Sequence, residues 1–248
     1  MQSRNPPFTR PFSTLSDARL REREELRNYP KEELCAIIRE VGFSCDLCGR
    51  CCTRVFNGHV LLFDEDVDRI RETDPLSLEP VPLYDFCDQQ GTFYAAGYTT
   101  RSQGDADGTC IFLEKGRCRI YSLRPAVCRI YPYMLHREPD ETGNTDWRQI
   151  SGLDLHGEYH ASISREDAVR IARETREFED AVLTFEIAFL TFTGRYFRER
   201  GLRHVRKMYD DGMRRARQGG EIAVMVYHRN HFERWHVRAG SATPVPGA

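Results

Sequence analysis

Eight residues constrain this chain more than any other stretch. Cys45-Asp46-Leu47-Cys48-Gly49-Arg50-Cys51-Cys52 offers four thiols from one short, turn-prone segment, and three more follow at Cys110, Cys118 and Cys128. Thiolates spaced two residues apart let a tight turn present several sulfurs to a single ion or cluster. Zinc usually takes such ligands as two separated C-x2-C knuckles around a tetrahedral ion. Three cysteines in succession at that spacing are more typical of an iron–sulfur cluster whose fourth ligand comes from elsewhere in the chain. Here the fourth can be Cys110, Cys118 or Cys128. Adjacent side chains project in different directions, so Cys51 and Cys52 do not suit a single zinc ion. Two centres, or one multi-metal cluster, relieve that difficulty. One partition gives Cys45, Cys48, Cys51 and a remote thiol to the first centre, and Cys52 with the other two remote thiols to a second, completed by a histidine or an open position.

The rest of the composition agrees with metal ligation. With 248 residues the chain can bury a real core, and with 40% hydrophobic and 30% charged residues and a net charge of −2 it reads as an ordinary soluble protein. That balance gives no reason to expect nucleic acid or a membrane as partner. No apolar run approaches a membrane span, and the Pro-, Ser- and Arg-rich N-terminus lacks a signal peptide's apolar region. The expected location is the cytoplasm, where thiols stay reduced and nine cysteines favour metal or redox chemistry over structural disulfides. Radical S-adenosylmethionine chemistry needs x3 then x2 cysteine spacing, which does not occur.

Around the cysteines the pattern is mixed. Residues 1–13, with Asn5-Pro6-Pro7 and Arg10-Pro11, read as a disordered lead-in. Helices are predicted from Ser16 to Asn28 and from Lys31 to Val41, the second with Leu34, Ile37, Ile38 and Val41 on one face. His59–Phe63 reads as a strand, Asp64–Ile70 as the start of a helix, Pro75–Pro82 as a connector and Thr92–Thr100 as a strand. Cys110–Leu113 and Arg117–Tyr121 flank Glu114-Lys115-Gly116 and predict a β-hairpin with Cys110 and Cys118 on opposite arms. Ser122 can cap a helical turn, Leu123 to Val127, that returns Cys128 to the hairpin. Ser164-Arg165-Glu166-Asp167 has the outline of a capping box opening the longest helix, to about Arg200, with an apolar stripe at Ile171, Phe178, Val182, Phe185, Phe189, Phe192 and Tyr196. A basic helix to Arg217 and a strand from Glu221 to His228 follow, and the tail from Ala239 reads as disordered.

Other groups carry weaker signals. Arg124 and Arg129 flank Cys128, where they can compensate an anionic thiolate cluster or hold a bound anion; the alternative is an ion pair with the acids of residues 64–68. His156 and His160 can complete a second centre or stand in a solvated loop. His228, His231 and His236 read as surface residues, Cys35 as a small buried hydrophobe, and Cys87 as outside the motif. Arg203, Arg206, Lys207, Arg214, Arg215 and Arg217 read as a solvated helix face.

These residues resemble the CxxCxxCC cysteine-cluster family, the YkgJ-type zinc- or iron-chelating proteins. Cys45-x2-Cys48-x2-Cys51-Cys52 matches the motif of its name. Cys110-Ile111-Phe112-Leu113, Cys118-Arg119-Ile120-Tyr121 and Arg124-Pro125-Ala126-Val127-Cys128-Arg129-Ile130-Tyr131-Pro132 are similar to its second half, with Tyr131 where Phe is commoner. The resemblance covers about residues 43–135 and implies metal binding through the seven cysteines without implying a reaction. A related flagellin lysine N-methylase carries a similar cluster and uses S-adenosylmethionine, which suggests a protein-modifying alternative; a metal- or cluster-delivery module is a third. Some relatives carry a further cysteine near a stretch like Ser151-Gly152-Leu153, where this chain has none. The expectation is an α+β fold: a helical lead-in (1–41), a metal-binding core with a β-hairpin (42–150), a C-terminal helical region (151–238) and a disordered tail (239–248), the core packing against helices from both ends. The expected cofactor is an iron–sulfur cluster, of the 4Fe–4S type, or zinc, and the expected partners are metal ions and a protein partner or substrate.

Overall fold

The computed structural model describes residues 12–135, 138–139, 145–146, 154–239 and 241–245. Residues 1–11 of the expected lead-in, the Ser151-Gly152-Leu153 stretch and the last three residues of the tail lie outside them. In chain order the elements are α1 (Phe12–Asn28), α2 (Lys31–Val41), α3 (Arg54–Asn57), α4 (Asp64–Thr73), β1 (Leu78–Pro80), β2 (Tyr84–Cys87), β3 (Phe93–Ala95), β4 (Tyr98–Thr100), β5 (Leu113–Glu114), β6 (Arg117–Cys118), α5 (Ala126–Ile130), β7 (Glu138–Pro139), β8 (Thr145–Asp146), α6 (Arg165–Glu199), α7 (Arg206–Arg217), β9 (Ile222–His228), β10 (His231–Arg238) and β11 (Ser241–Pro244). The fold is mixed α+β, with small sheets and N-terminal helices packed on the long α6. Among the described residues no helix is long and apolar enough to cross a membrane. The chain forms two compact units, each drawn from separated stretches.

One unit comprises Met1–Ala18, His59–Gly104 and Phe185–Ala248. Its five-stranded sheet runs β11-β10-β9-β3-β2; β3 lies parallel to β9 and the other pairings are antiparallel. The apolar stripe on the C-terminal part of α6 explains its core. Phe185, Phe189 and Phe197 recur at helical spacing and bury against Phe86, Tyr94, Tyr227 and Phe232. Gly212 lets α7 press on the sheet, since a Cβ there would meet the Phe93 ring at 2.5 Å.

Several expectations needed correction in this unit. The tail is not disordered between Ser241 and Pro244, which pair with β10 as β11. The single strand expected over Thr92–Thr100 is two strands in different sheets, broken at Ala96-Gly97, where a Cβ on Gly97 would sit 3.1 Å from Phe185. Leu78–Pro80 of the expected connector forms an edge strand on β4, a position where proline's missing N–H is tolerated. His59–Phe63 makes only an isolated bridge, Leu62 to Tyr98.

The other unit comprises Arg19–Gly58 and Asp105–Thr184 and contains all seven motif cysteines. Its core joins α2 to the N-terminal part of α6: Leu34, Ile38 and Val41 pack with Leu26, Tyr133, Leu135, Ala168, Ala172 and Leu183. Half of the capping box forms: the Asp167 N–H donates to Ser164 Oγ at 3.0 Å, and the Asp167 carboxylate accepts the Ser164 hydroxyl at 2.7 Å. Arg23 holds Asp180 of α6 through two hydrogen bonds, at 2.7 and 2.8 Å. Gly42 ends α2 in the left-handed conformation (φ 54°), and its carbonyl accepts the Ala161 N–H at 2.8 Å. A Cβ at Gly42 would lie 2.3 Å from the Ala161 carbonyl oxygen. Only glycine makes this turn, and it delivers the chain into the cysteine segment.

Candidate metal centre

The cysteine segment is a succession of tight turns. Asp46 Oδ1 accepts the Cys48 N–H at 3.0 Å, Leu47 and Gly49 take positive φ (60° and 73°), and Arg50–Cys52 form one turn of 3-10 helix. This winding sends Cys45 and Cys48 to the surface and leaves Cys51 and Cys52 half-buried. The second stretch docks through the backbone: Cys110 N–H donates to the Cys52 carbonyl at 2.8 Å, and Arg54 N–H to the Gly108 carbonyl at 3.2 Å. Asp105 fixes the approach by accepting the Thr109 N–H at 2.7 Å and its hydroxyl at 2.5 Å. Asn57 Nδ2 donates to the Cys51 carbonyl at 2.9 Å.

The expected hairpin forms but is short. Only Leu113–Glu114 and Arg117–Cys118 pair, around Lys115-Gly116, with Cys110 just outside the ladder. The turn before Cys128 differs from expectation. Tyr121–Leu123 is 3-10, Arg124 is extended, and the helix holding Cys128 begins after Pro125. Proline explains both, because it disfavours helix in the residue before it and suits the start of the helix after it.

Five sulfurs from these three segments act on one another electrostatically. Cys51, Cys110 and Cys128 bear on Cys52, and Cys51, Cys110 and Cys118 bear on Cys128. The Cys52 thiol donates to Cys51, which pulls the Cys51 thiol down and pushes Cys52 up, so the vicinal pair tends to hold one proton between them. Burial pushes the Cys128 thiol up to about 12 and raises Cys118 as well. A buried thiol ionises only when a cation compensates it, and Arg124 is the nearby fixed cation, lowering Cys51, Cys118 and Cys128. Its guanidinium stacks 3.8 Å from the Tyr121 ring centroid. Arg129 instead donates to the Arg124 carbonyl at 2.9 Å. The acids of residues 64–68 pair elsewhere, Asp66 with Arg69 and Asp68 with Arg229.

The remaining candidates separate cleanly. Both ring nitrogens of His156 are buried without a hydrogen-bond partner among the described residues, and the ring packs on Phe56, Tyr131 and Phe43 at 4.6, 5.1 and 5.7 Å. Burial lowers its pKa, and it lies in the fields of Asp46 and Arg50 of the cysteine segment. His160 is exposed. Cys35 packs against the α2–α6 core with its sulfur 3.8 Å from the Ala168 carbonyl. Cys87 is buried in the other unit, where burial pushes its thiol up to about 12. The surface reading of the late histidines needs correction at His228, which is 4% exposed; side chains of α4, Tyr98 and Glu233 surround its ring.

Five thiols in one electrostatic neighbourhood, with the His156 imidazole in the field of the cysteine segment, make a donor set of soft sulfur and borderline nitrogen, the set that holds zinc and iron–sulfur centres. That places the segment in the class of thiolate-rich metal-chelating domains. Residues 44–150 match the model of the CxxCxxCC family, described as "Putative zinc- or iron-chelating domain". No curated protein and no solved structure matches the chain.

Proposed function

We propose that this segment holds iron–sulfur centres, two clusters or one larger multi-metal cluster, through Cys45, Cys48, Cys51, Cys52, Cys110, Cys118 and Cys128, in a structural or redox role. The observation that carries the reading is the spread of the sulfurs. Five of them share one electrostatic neighbourhood, yet among the described residues no three cysteine sulfurs lie within 4.8 Å of one another. A tetrahedral zinc with bonds of about 2.3 Å needs its sulfurs about 3.8 Å apart. A cluster seats each sulfur on its own iron and tolerates a wider ring. Arg124 offsets the negative charge of the thiolates, Arg129 braces the Arg124 backbone, and the orphaned His156 nitrogens offer the non-sulfur ligand that an odd number of cysteines leaves room for. Bound there, a cluster would supply electron transfer or a fixed cross-link between the two cysteine stretches.

Isolation without oxygen followed by metal and sulfide analysis tests the reading. The expected result is a coloured protein with iron and acid-labile sulfide in near-equal amounts. Cys48→Ala should reduce both several-fold, and Cys35→Ala should leave both unchanged. A colourless protein holding one or two zinc ions would replace the cluster with zinc. Full iron content in Cys48→Ala would overturn the ligand assignment.

A further inference from the structure

The β9–β10 hairpin carries a second set of metal-binding groups, in the unit that holds none of the motif cysteines. Its two-residue turn, Arg229-Asn230, has positive φ at both positions (44° and 60°), the backbone of the tight hairpin turn. The ladder then sets His228 directly across from His231, and residues so paired share a face. Glu233, two residues further along β10, falls on that face too. One ligand atom from each of His228, His231 and Glu233 lies within 4.8 Å of the other two. Glu233 Oε1 is 3.0 Å from His228 Nδ1 and 3.4 Å from His231 Nε2.

We propose that His228, His231 and Glu233 bind a divalent transition ion of the zinc class, independently of the thiol centre. Nitrogen and oxygen ligands at about 2.0–2.1 Å from a tetrahedral zinc stand about 3.3 Å apart, close to the spacing around Glu233 Oε1.

Carboxylates and donors surround the trio as outer partners do at metal sites, with the His228 Nε2–Asp68 pair short of hydrogen-bond geometry. A metal-ligating imidazole usually gives its other nitrogen to a carboxylate, and a ligating carboxylate is itself hydrogen-bonded. His228 Nε2 faces Asp68 Oδ1 at 3.2 Å, with Asp64 further off at 3.9 Å. Glu233 Oε2 is anchored by Arg71 Nη2 at 2.6 Å and by the Tyr98 hydroxyl at 2.5 Å. Tyr98 is fixed in turn by the Trp235 indole N–H at 2.9 Å. Oε1 is thereby aimed at the two imidazoles, with Arg71 Nη1 at 3.0 Å as its competitor for the ion. Asp64, Asp68 and Glu233 carry three negative charges against Arg71 and Arg229, so the ion enters a site that lacks one positive charge whenever the histidines are neutral. Sequence spacing alone hides this set, because His228-x2-His231-x-Glu233 matters only once the turn between the histidines is known.

Cadmium NMR on the full-length protein, given enough cadmium to fill both centres, tests the proposal, since thiolate-ligated and nitrogen/oxygen-ligated ions resonate far apart. The wild type should show a nitrogen/oxygen-type signal beside the thiolate signals. His231→Ala, which removes an exposed side chain, should lose that signal and leave the thiolate signals in place. Asp68→Asn should keep it with about 10–100-fold weaker affinity. A wild type with thiolate signals alone would show that the trio is an ion-pair network and overturn the proposal. So would a nitrogen/oxygen signal of unchanged affinity in His231→Ala. Absence of the thiolate signals with the other retained would count against the cysteine reading and leave this one standing.

Discussion

At the scale of single residues, chemistry was legible wherever spacing alone defined it. Cys45 through Cys52 stand out because four thiols in eight residues of one turn are the spacing by which a chain offers several sulfurs to a metal. Arg124 was legible beside Cys128 for the same reason, and it lowers the Cys51, Cys118 and Cys128 thiols, the influence that a charge-compensating role would need. His228 was not legible. Its burial depends on groups brought from α4, Tyr98 and β10, and Arg229-Asn230 lacks the Asn-Gly or Asp-Gly signature by which such turns are recognised. Gly42 carries the sharpest prediction at this scale. Gly42→Ala places a methyl group against the Ala161 carbonyl and forces a left-handed alanine, a strain of about 1–3 kcal/mol before the clash is counted. The denaturation midpoint of the cysteine unit should fall accordingly, and an unchanged midpoint would mean that the α2 turn relaxes freely.

At the scale of elements, the helices were the readable part. α2 spans the predicted residues, and α6 begins at its capping box and ends within a residue of the expected place. Amphipathic periodicity over many residues decides such elements locally. The short strands were poorly read because two or three residues carry no period, and their pairing is decided by partners far along the chain, as with Leu78–Pro80 on Tyr98–Thr100. The contact between α4 and the β9–β10 hairpin is of this long-range kind, and it predicts a pH dependence. Burial works to raise the Glu233 carboxyl, but hydrogen bonds from His228, Arg71 and Tyr98 outweigh it and hold its pKa far below the usual carboxylate range. A depressed carboxyl contributes stability that is present above its unfolded pKa of about 4.3 and is lost as pH falls towards the folded value. Acid titration followed by Tyr and Trp fluorescence should therefore show the sheet unit weakening below about pH 4. Glu233→Gln should be less stable at neutral pH and should lose much of that acid dependence; an identical acid profile in the variant would remove Glu233 as its source.

At the scale of the molecule, the two units have separate apolar cores, one built on aromatic rings and the other on aliphatic side chains. Metal should act on them unequally. An ion or cluster that joins Cys52 to Cys110 closes a loop of about 60 residues, and the relation used for covalent cross-links gives such a closure about 4 kcal/mol. Chelation under reducing conditions is therefore expected to lower the transition of the cysteine unit by more than that of the sheet unit. Hydrogen exchange should trace the larger loss to Arg19–Gly58 and Asp105–Thr184, the stretches of the cysteine unit. A uniform loss of protection over the whole chain would contradict separate cores.

The order of the cysteines along the chain also has a consequence in time. Four of the thiols leave the ribosome early, and about 76 more residues must be added after Cys52 before Cys128 exists. At about 5–20 residues per second, the first four wait roughly 4–15 s for their partners. Through that interval the nascent chain is a partial chelator that offers its sulfurs to any oxidant or stray thiophilic ion in reach. If the seven sulfurs share a metal centre, copper or peroxide stress during synthesis is expected to harm them more than the same stress after the centre has formed.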